Sequence, residues 1–265
     1  MHAELRRRPV ARIAAVFKGG GVSGTVHWAW LVALRRLHRV WDRFFLPDRT
    51  GDATTRKVEL ADLTITSKNM AAGVHYLPTP WHVLDWIQQL LPPPDPSWCY
   101  VDFGCGKGRT LIAAARHPYG RVIGVEFAKE LARLAVANVA FAQGRRAGSV
   151  EIVEADASEF MLPETPLVVF LFNPFGSPVI DRVAVRVAQS YAARPRPLFV
   201  AYFNPVHERV FDELPVLRRL PLKGSAGLKL RAFSPYRFNL YASAEAVELM
   251  DAHTNGTIRP ATAHR

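Results

Sequence analysis

Three glycines stand at alternating positions directly after an apolar segment. Residues 100–103 form that segment, Gly104, Gly106 and Gly108 follow it, and a helical pattern begins at Arg109. Glycines in such a turn let the backbone approach a ligand closely, and the first N–H groups of a helix attract an anion. The spacing is G-x-G-x-G and not the G-x-G-x-x-G of a dinucleotide site, so it favours a ligand other than a dinucleotide.

Two acidic residues follow at the ends of the next predicted strands. Glu126 ends an apolar segment 22 residues after Gly104, and Asp156 follows a third short strand. A carboxylate placed beside a glycine turn in this way can accept both hydroxyls of a ribose. A solvated glutamate at a strand end is the alternative for Glu126 alone, but the glycine turn precedes it at the expected distance.

The elements that must position these residues alternate between strand and helix. Strands are predicted at 99–103, 121–127, 149–154, 167–172 and 197–203, with helices at 109–116, 128–143 and 180–191 between them. This alternation predicts an α/β fold with a doubly wound, mostly parallel sheet. Segments 216–222 and 236–242 are predicted as an antiparallel hairpin at its C-terminal end, joined by a loop that contains Gly224 and Gly227.

Four strand ends together resemble a known family. Residues 100–109, Glu126, Asp156 and the segment Leu-Phe-Asn-Pro-Phe-Gly at 171–176 are similar to the first four motifs of class I S-adenosylmethionine-dependent methyltransferases. The resemblance covers about residues 76–203 and includes some similarity to lysine methyltransferases that lack a SET domain. It implies a Rossmann-like fold, an enzyme, S-adenosyl-L-methionine as the cofactor and no metal.

The resemblance also implies how the methionine end of the cofactor is held. Gly104 and Gly106 pass along the methionine part, and Asp102 supports its ammonium group. The earlier segment Tyr-Leu-Pro-Thr-Pro at 76–80 is similar to an element that covers this end in related enzymes, which makes Tyr76 and Thr79 lid contacts. A simple helix start, with the threonine as its cap and the following proline at its first position, is the alternative.

For the nucleoside end, the resemblance assigns three residues. Glu126 holds the ribose, while the Asp156 side chain and the Ala157 backbone hold the adenine.

The segment Asn173-Pro174-Phe175 is the candidate catalytic segment, facing the methyl group. Carbonyl oxygens at a strand end can accept hydrogen bonds from an amino group and direct its lone pair at the methyl group, and Phe175 can form an apolar wall. The segment is similar to the Asn-Pro-Pro-aromatic motif of enzymes that methylate amide or base nitrogens, with Phe175 in place of the second proline. We predict a protein side-chain nitrogen as acceptor, with RNA, DNA or a small amine as alternatives.

A second Phe-Asn-Pro segment stands at 203–205, where the next predicted strand ends. It places Asn204 and His207 at the substrate side of the site or, as the alternative, in a turn that ends the strand.

Composition and charge limit the remaining classes of function. The chain has 265 residues, 49% of them hydrophobic, and a net charge of +11, with only two cysteines. The charge is concentrated at residues 1–50, with 10 basic and 3 acidic residues, and at 214–240, with 6 basic residues and no acidic one. Because the segment with the motifs is nearly neutral, the charge concerns the partner rather than the cofactor. Two cysteines without metal spacing favour a reducing, cytoplasmic location.

Three regions are expected: a basic helical N-terminal extension at 1–73, the cofactor-binding domain at 74–250 and a flexible tail at 251–265. No segment is long and apolar enough to span a membrane. An amphipathic helix over about 28–45 packs an aromatic stripe on the domain or, as the alternative, binds a membrane surface peripherally. An oxidoreductase or a plain nucleotide-binding module is the remaining class, which the glycine spacing and the segment 173–176 argue against.

Overall fold

The protein is described from a computed structural model, which defines residues 29–34, 36–38, 40–42, 54 and 77–254. The helical residues 29–34, 36–38 and 40–42 are together called α1. Most of the predicted N-terminal extension and the tail beyond residue 254 lie outside the described residues.

Seven strands form one sheet in the order β3-β2-β1-β4-β5-β7-β6. The first five are parallel, while β7 is antiparallel to both β5 and β6. Their bounds are β1 Cys99–Phe103, β2 Arg121–Glu126, β3 Ser149–Glu154, β4 Leu167–Phe172, β5 Leu198–Phe203, β6 Arg218–Leu220 and β7 Phe238–Ala242. The predicted doubly wound, mostly parallel α/β sheet with an antiparallel end is confirmed.

Helices cover both faces of this sheet. Side chains of β1 alternate between two apolar clusters, since Tyr100 faces one while Val101 and Phe103 face the other. Helices α2, α3, α7 and α8 contribute to the first cluster, and α5 and α6 to the second. The helix bounds are α2 Trp81–Leu90, α3 Arg109–Ala114, α4 Lys129–Phe141, α5 Ser177–Ala193, α6 Arg209–Asp212, α7 Gly224–Phe233 and α8 Ala244–Thr254.

The connection between β6 and β7 differs from the sequence prediction. The predicted loop with Gly224 and Gly227 is helix α7, which packs against α2. A Cβ atom on Gly227 would lie 2.5 Å from the carbonyl carbon of Leu222, so this glycine allows a close helix–backbone contact. At the other end of this region, α8 continues to Thr254, into the segment predicted as a tail.

Helix α1 packs through a face that shares Leu34 with the predicted stripe but leaves the described tryptophans of that stripe outside the contact. Leu34, His38 and Asp42 are buried, whereas Trp30 and Trp41 are about half exposed, at 49% and 50%. The three buried residues follow one another at intervals of four, which places them on one helix face. The His38 ring N–H donates a 2.8 Å hydrogen bond to the Phe233 carbonyl, and this contact fixes α1 beside the end of α7.

The sheet also determines where a site can form. The carboxyl ends of β1, β2, β4 and β5 lie at the same edge, and the chain reverses its strand order between β1 and β4. Ligands of open α/β sheets bind at this switch point.

Candidate functional site

A cleft at the carboxyl ends of β1, β2, β4 and β5 brings most of the predicted site residues together. This main cleft has about 750 Å³ of space, its open mouth included. The predicted residues on its wall are Thr79, Asp102, Gly104, Gly106, Glu126, Asn173 and Pro174. Tyr76, predicted as a lid contact, lies outside the described residues.

The glycine turn forms the floor of the main cleft. Gly104, Gly106 and Gly108 all have positive φ angles, of 75°, 55° and 80°. The Gly104 N–H donates a 2.8 Å hydrogen bond to the Val125 carbonyl, which joins the turn to the end of β2. A Cβ atom on Gly104 would lie 2.5 Å from Cβ of Pro174, so a side chain there would close the gap between the β1 and β4 ends.

Glu126 is buried at the edge of the turn and is only 3% exposed. Its carboxylate accepts hydrogen bonds from the Gly106 N–H at 2.8 Å and from the Ala128 N–H at 3.0 Å. Burial raises the pKa of Glu126 to about 7, although both backbone hydrogen bonds act in the opposite direction. The side chain therefore fixes the shape of the turn that lines the cleft.

Asp102 is the second buried acid and is 2% exposed. It accepts a hydrogen bond from the Thr110 hydroxyl in the first turn of α3. Burial raises the pKa of Asp102 to about 7; the Thr110 hydrogen bond lowers it and the nearby Glu126 charge raises it. Such an acid gains most from a cationic group that enters the cleft.

Asp156 and Ala157 line a separate, smaller cavity beside the main cleft, together with Phe127, Phe175 and Val179. The Asp156 carboxylate accepts hydrogen bonds from the Ser158 N–H at 2.9 Å and the Ser158 hydroxyl at 2.7 Å. These bonds hold the turn after β3 in place. Phe127 lines both spaces, which therefore lie next to each other.

Asn173 occupies a strained position at the end of β4. Its φ angle is +38°, which is uncommon for any residue except glycine, and it precedes a proline. Its Oδ1 atom is buried and has no hydrogen-bond partner among the described residues. An unpaired buried acceptor costs about 1–3 kcal/mol. The side-chain carbonyl is therefore available to a donor that enters the main cleft.

The two residues after Asn173 line different cavities. Pro174 lines the main cleft against Gly104. Phe175 is 6% exposed and lines the smaller cavity with Asp156 and Ala157, on the side predicted for the adenine. Of the three residues predicted to face the acceptor, the structure thus brings Asn173 and Pro174 into the main cleft.

Thr79 is buried on the wall of the main cleft, directly before α2. Helix α2 begins at Trp81 with Pro80 in the cap position and without a side-chain cap, so Thr79 is not the helix cap of the alternative interpretation. Its carbonyl accepts a 3.0 Å hydrogen bond from the Arg109 guanidinium. Sequence reasoning missed Arg109 and Thr110, which also line the cleft and which it treated only as the start of a helix.

A second cavity adjoins the main cleft at Asn204, the residue that lines both. It has about 1180 Å³ of space, its opening included, and its walls come from α1, β6, α7 and β7. Tyr236 lines the second cavity, and its ring contacts Phe172 of the main cleft and Phe203, with centroids 5.3 and 5.5 Å away. His207, the other residue considered for the substrate side, lines neither space within the described ranges.

The described residues include no group of histidine, cysteine and acidic side chains that could hold a metal ion. None of the helices in the described part of the chain is long and apolar enough to cross a membrane.

Comparison with known proteins gives a family match. A sequence profile for a methyltransferase domain matches residues 101–192, roughly a third of the chain. No curated protein sequence is significantly similar to the chain.

Several solved structures are similar at low sequence identity. An RNA methyltransferase from Salinibacter ruber in complex with S-adenosyl-L-homocysteine shares 22% identity over 63% of this chain and 92% of its own, with a TM-score of 0.42. A precorrin-6y C5,15-methyltransferase from Geobacter metallireducens shares 14% over 70% and 97%, with a TM-score of 0.45. Magnesium protoporphyrin IX methyltransferase from Synechocystis, with bound S-adenosylmethionine, shares 14% over 61% and 76%, with a TM-score of 0.41.

Proposed function

We propose that this chain, whose residues 101–192 form a class I S-adenosylmethionine-dependent methyltransferase domain, transfers the methyl group to nitrogen, in the first instance to a protein side chain. The single observation that carries the choice of nitrogen is the buried, unpaired Oδ1 atom of Asn173.

The residues present fit the cofactor. The open glycine turn accepts an extended group, Asp102 is a buried acid suited to its ammonium, and Glu126 lies where a ribose diol would bind. Asp156 and Ala157 border the smaller cavity, where we place the adenine. When bound, the cofactor supplies a methyl group on a positively charged sulfur. The lone pair of the acceptor bonds to the methyl carbon in line with the sulfur, which leaves.

An acceptor N–H is the natural partner of Asn173. Accepting that hydrogen bond would satisfy the buried Oδ1 atom and would hold the nitrogen with its lone pair pointing along the cleft. A hydroxyl acceptor would also need a base for its proton. In this proposal Asp102 and Glu126, the carboxylates of the main cleft, bind the cofactor, and no histidine is among the described residues that line the main cleft or the second cavity. This favours a neutral nitrogen, which attacks through its lone pair and loses its proton to solvent after the transfer.

The second cavity is the proposed entrance for the acceptor, because it meets the main cleft at Asn204. Leucine, proline and aromatic side chains make up most of its wall, which suits the aliphatic stem of a long side chain. Its opening to the surface leaves room for the chain that carries this side chain.

Nucleic acid, the alternative acceptor, receives less support from the basic segment 214–240. Arg219 pairs with both Asp212 and Glu208, and Arg237 also pairs with Glu208. These acidic partners neutralise part of the charge that the sequence presents as a continuous basic cluster. Of the six cations that the segment presents, Arg218, Lys223, Lys229 and Arg231 are the four outside these ion pairs, so fewer are free to contact phosphates than the sequence indicates.

A labelling experiment identifies the acceptor class. The full chain is incubated with methyl-labelled S-adenosylmethionine and a cell extract, and the label is then followed into protein, RNA, DNA and small molecules. We expect label in protein, and Asn173→Gly to reduce it. Label in RNA, DNA or small molecules alone would contradict the protein acceptor, and absence of any label would contradict the proposed activity.

A further inference from the structure

Arg109 has a buried guanidinium group, and one of its terminal nitrogens has no hydrogen-bond partner among the described residues. It is 2% exposed and pairs through Nη1 with Asp42 of α1. Nη1 also donates to the Thr79 carbonyl at 3.0 Å, and Nε donates to the Thr54 hydroxyl at 3.3 Å. The Nη2 atom is buried without a hydrogen-bond partner among the described residues. A buried charged donor left unpaired is costly unless a ligand completes it.

The position of Arg109 indicates which group of a ligand could accept a hydrogen bond from its Nη2 atom. Arg109 lines the main cleft next to Thr110, whose hydroxyl is bonded to Asp102. It is the only cationic residue among the described residues on that wall. The amino acid end of the cofactor carries an ammonium and a carboxylate on the same carbon, so the acid that binds the first lies close to where a cation must meet the second. A guanidinium is the donor best suited to a carboxylate.

We propose that Arg109 binds the carboxylate of the cofactor's methionine end through Nη2, and that Asp42 of the N-terminal helix α1 is the positioning residue that holds Arg109 in place. The proposal rests on the proposed function, since it takes S-adenosylmethionine as the ligand of the main cleft.

The contacts of Asp42 show why α1 belongs to this site. Its carboxylate accepts a hydrogen bond from Arg109 and another, at 3.2 Å, from the N–H of Trp81 at the start of α2. The Arg109 guanidinium lies over the Trp81 ring, 5.4 Å from its centroid. Helices α1, α2 and α3 therefore meet around one guanidinium, and cofactor binding and the docking of α1 must favour each other by the same factor.

Calorimetry on the full chain tests this with a ligand pair that differs only in the carboxylate. The two ligands are S-adenosylmethionine and its decarboxylated form. With the wild-type protein we expect the loss of the carboxylate to weaken binding about 10- to 100-fold, as for a charge-assisted hydrogen bond in a buried site. In Arg109→Met the ratio of the two dissociation constants should fall to about one, and in Asp42→Asn it should lie in between.

Arg116→Met is the matched control. Arg116 lies over the same Trp81 ring, 5.7 Å from its centroid, but does not line the main cleft. This variant should keep the wild-type ratio. A ratio unchanged in Arg109→Met would show that Arg109 only supports the fold and would overturn the proposal.

The affinities of the wild-type protein for the two ligands test the carboxylate contact even if a variant does not fold. Equal affinity of the wild-type protein for the two ligands would overturn the carboxylate contact while leaving the methyltransferase assignment intact. If the wild-type protein bound neither ligand, both the carboxylate contact and the methyltransferase assignment would be overturned. A preserved ratio combined with methyl transfer to oxygen would contradict only the choice of nitrogen, so the two proposals fail separately.

Discussion

Asn173 and Asn204 occupy equivalent positions at the ends of two neighbouring parallel strands. Phe172 pairs with Phe203 in the register of β4 and β5, and each asparagine follows its phenylalanine and precedes a proline. Both have positive φ angles, of 38° and 53°, and both line the main cleft. Backbone strain of this kind costs about 1–3 kcal/mol and is concentrated at functional sites.

This pair allows the role of the Asn173 side chain to be separated from that of its backbone. Asn173→Gly keeps the positive φ without strain and removes the carbonyl, so we expect kcat to fall about 10- to 100-fold while the dissociation constant of S-adenosylhomocysteine stays within about twofold. Asn204→Gly, the matched variant, should mainly raise KM, because Asn204 lies at the entrance. Steady-state kinetics that show the same kcat loss in both variants would contradict a specific role of the Asn173 side chain.

The glycine turn gives a second prediction, on cofactor affinity. Gly104→Ala adds a methyl group 2.5 Å from Pro174 Cβ and also strains a φ of +75°, so cofactor binding should weaken at least tenfold and the melting temperature should fall. Gly224→Ala carries a similar φ of +69°, but nothing lies within 4 Å of its new methyl group. It should lose only about 1–2 kcal/mol of unfolding free energy and keep its cofactor affinity. Equal affinity losses would be inconsistent with a cleft at Gly104.

The pH dependence of cofactor binding should follow Asp102. Its pKa is raised to about 7 by burial, so the fraction of ionised carboxylate increases as the pH rises through that value. Because the ionised form attracts the cofactor's ammonium, the affinity measured by calorimetry should increase between about pH 6 and pH 8. Asp102→Asn should bind more weakly and with a flatter profile. An unchanged slope in this variant would assign the pH dependence to another group.

Replacing Arg196, which lies away from the main cleft, should lower the stability of the fold. It is 5% exposed, and its guanidinium donates to oxygens of Pro163, Thr165, Ser190 and Arg194. Arg196→Met leaves several of these acceptors unpaired, so the free energy of unfolding should fall by about 3 kcal/mol or more in urea titrations. The cofactor affinity should not change, because these contacts lie at the amino ends of β4 and β5.

Arg194→Met is the comparison for this stability prediction. The Arg194 side chain is 65% exposed and pairs only with the equally exposed Glu164 in the described structure. It should cost no more than about 1 kcal/mol. A similar loss in both variants would mean that the buried bonds of Arg196 add nothing to stability.

The central part of the fold was predictable because its signals are local. Strands β1, β3 and β4 have the predicted bounds, because each is a segment of five or six residues flanked by turns. β1 and β4 are mostly apolar and buried, whereas β3 mixes apolar and polar residues at the edge of the sheet. Asp102, Gly104, Gly106 and Glu126 come together because each follows or ends such a strand. The cluster at the carboxyl ends is therefore a consequence of parallel strand order.

The features that sequence missed depend on contacts between distant residues. The ion pair of Arg109 and Asp42 joins residues 67 positions apart, and no local pattern specifies it. Gly227 has a helix-breaking residue type, yet it lies inside α7 because Leu222 packs too closely for a side chain. Phe175 stands three residues after the end of β4, and it lines the smaller cavity with Asp156 rather than the main cleft with Asn173. Tertiary packing decided each of these positions.

The most direct test of nitrogen as the acceptor atom is the chemical identity of the methylated product. Protein labelled by the full chain and methyl-labelled S-adenosylmethionine is divided into two parts, one hydrolysed in acid for amino acid analysis and one treated with mild alkali. We predict that the label resides in an N-methylated side chain, remains after alkali treatment, and is strongly reduced with Asn173→Gly while S-adenosylhomocysteine binding persists. Release of the label as methanol by alkali, which identifies a methyl ester on oxygen, would contradict this account.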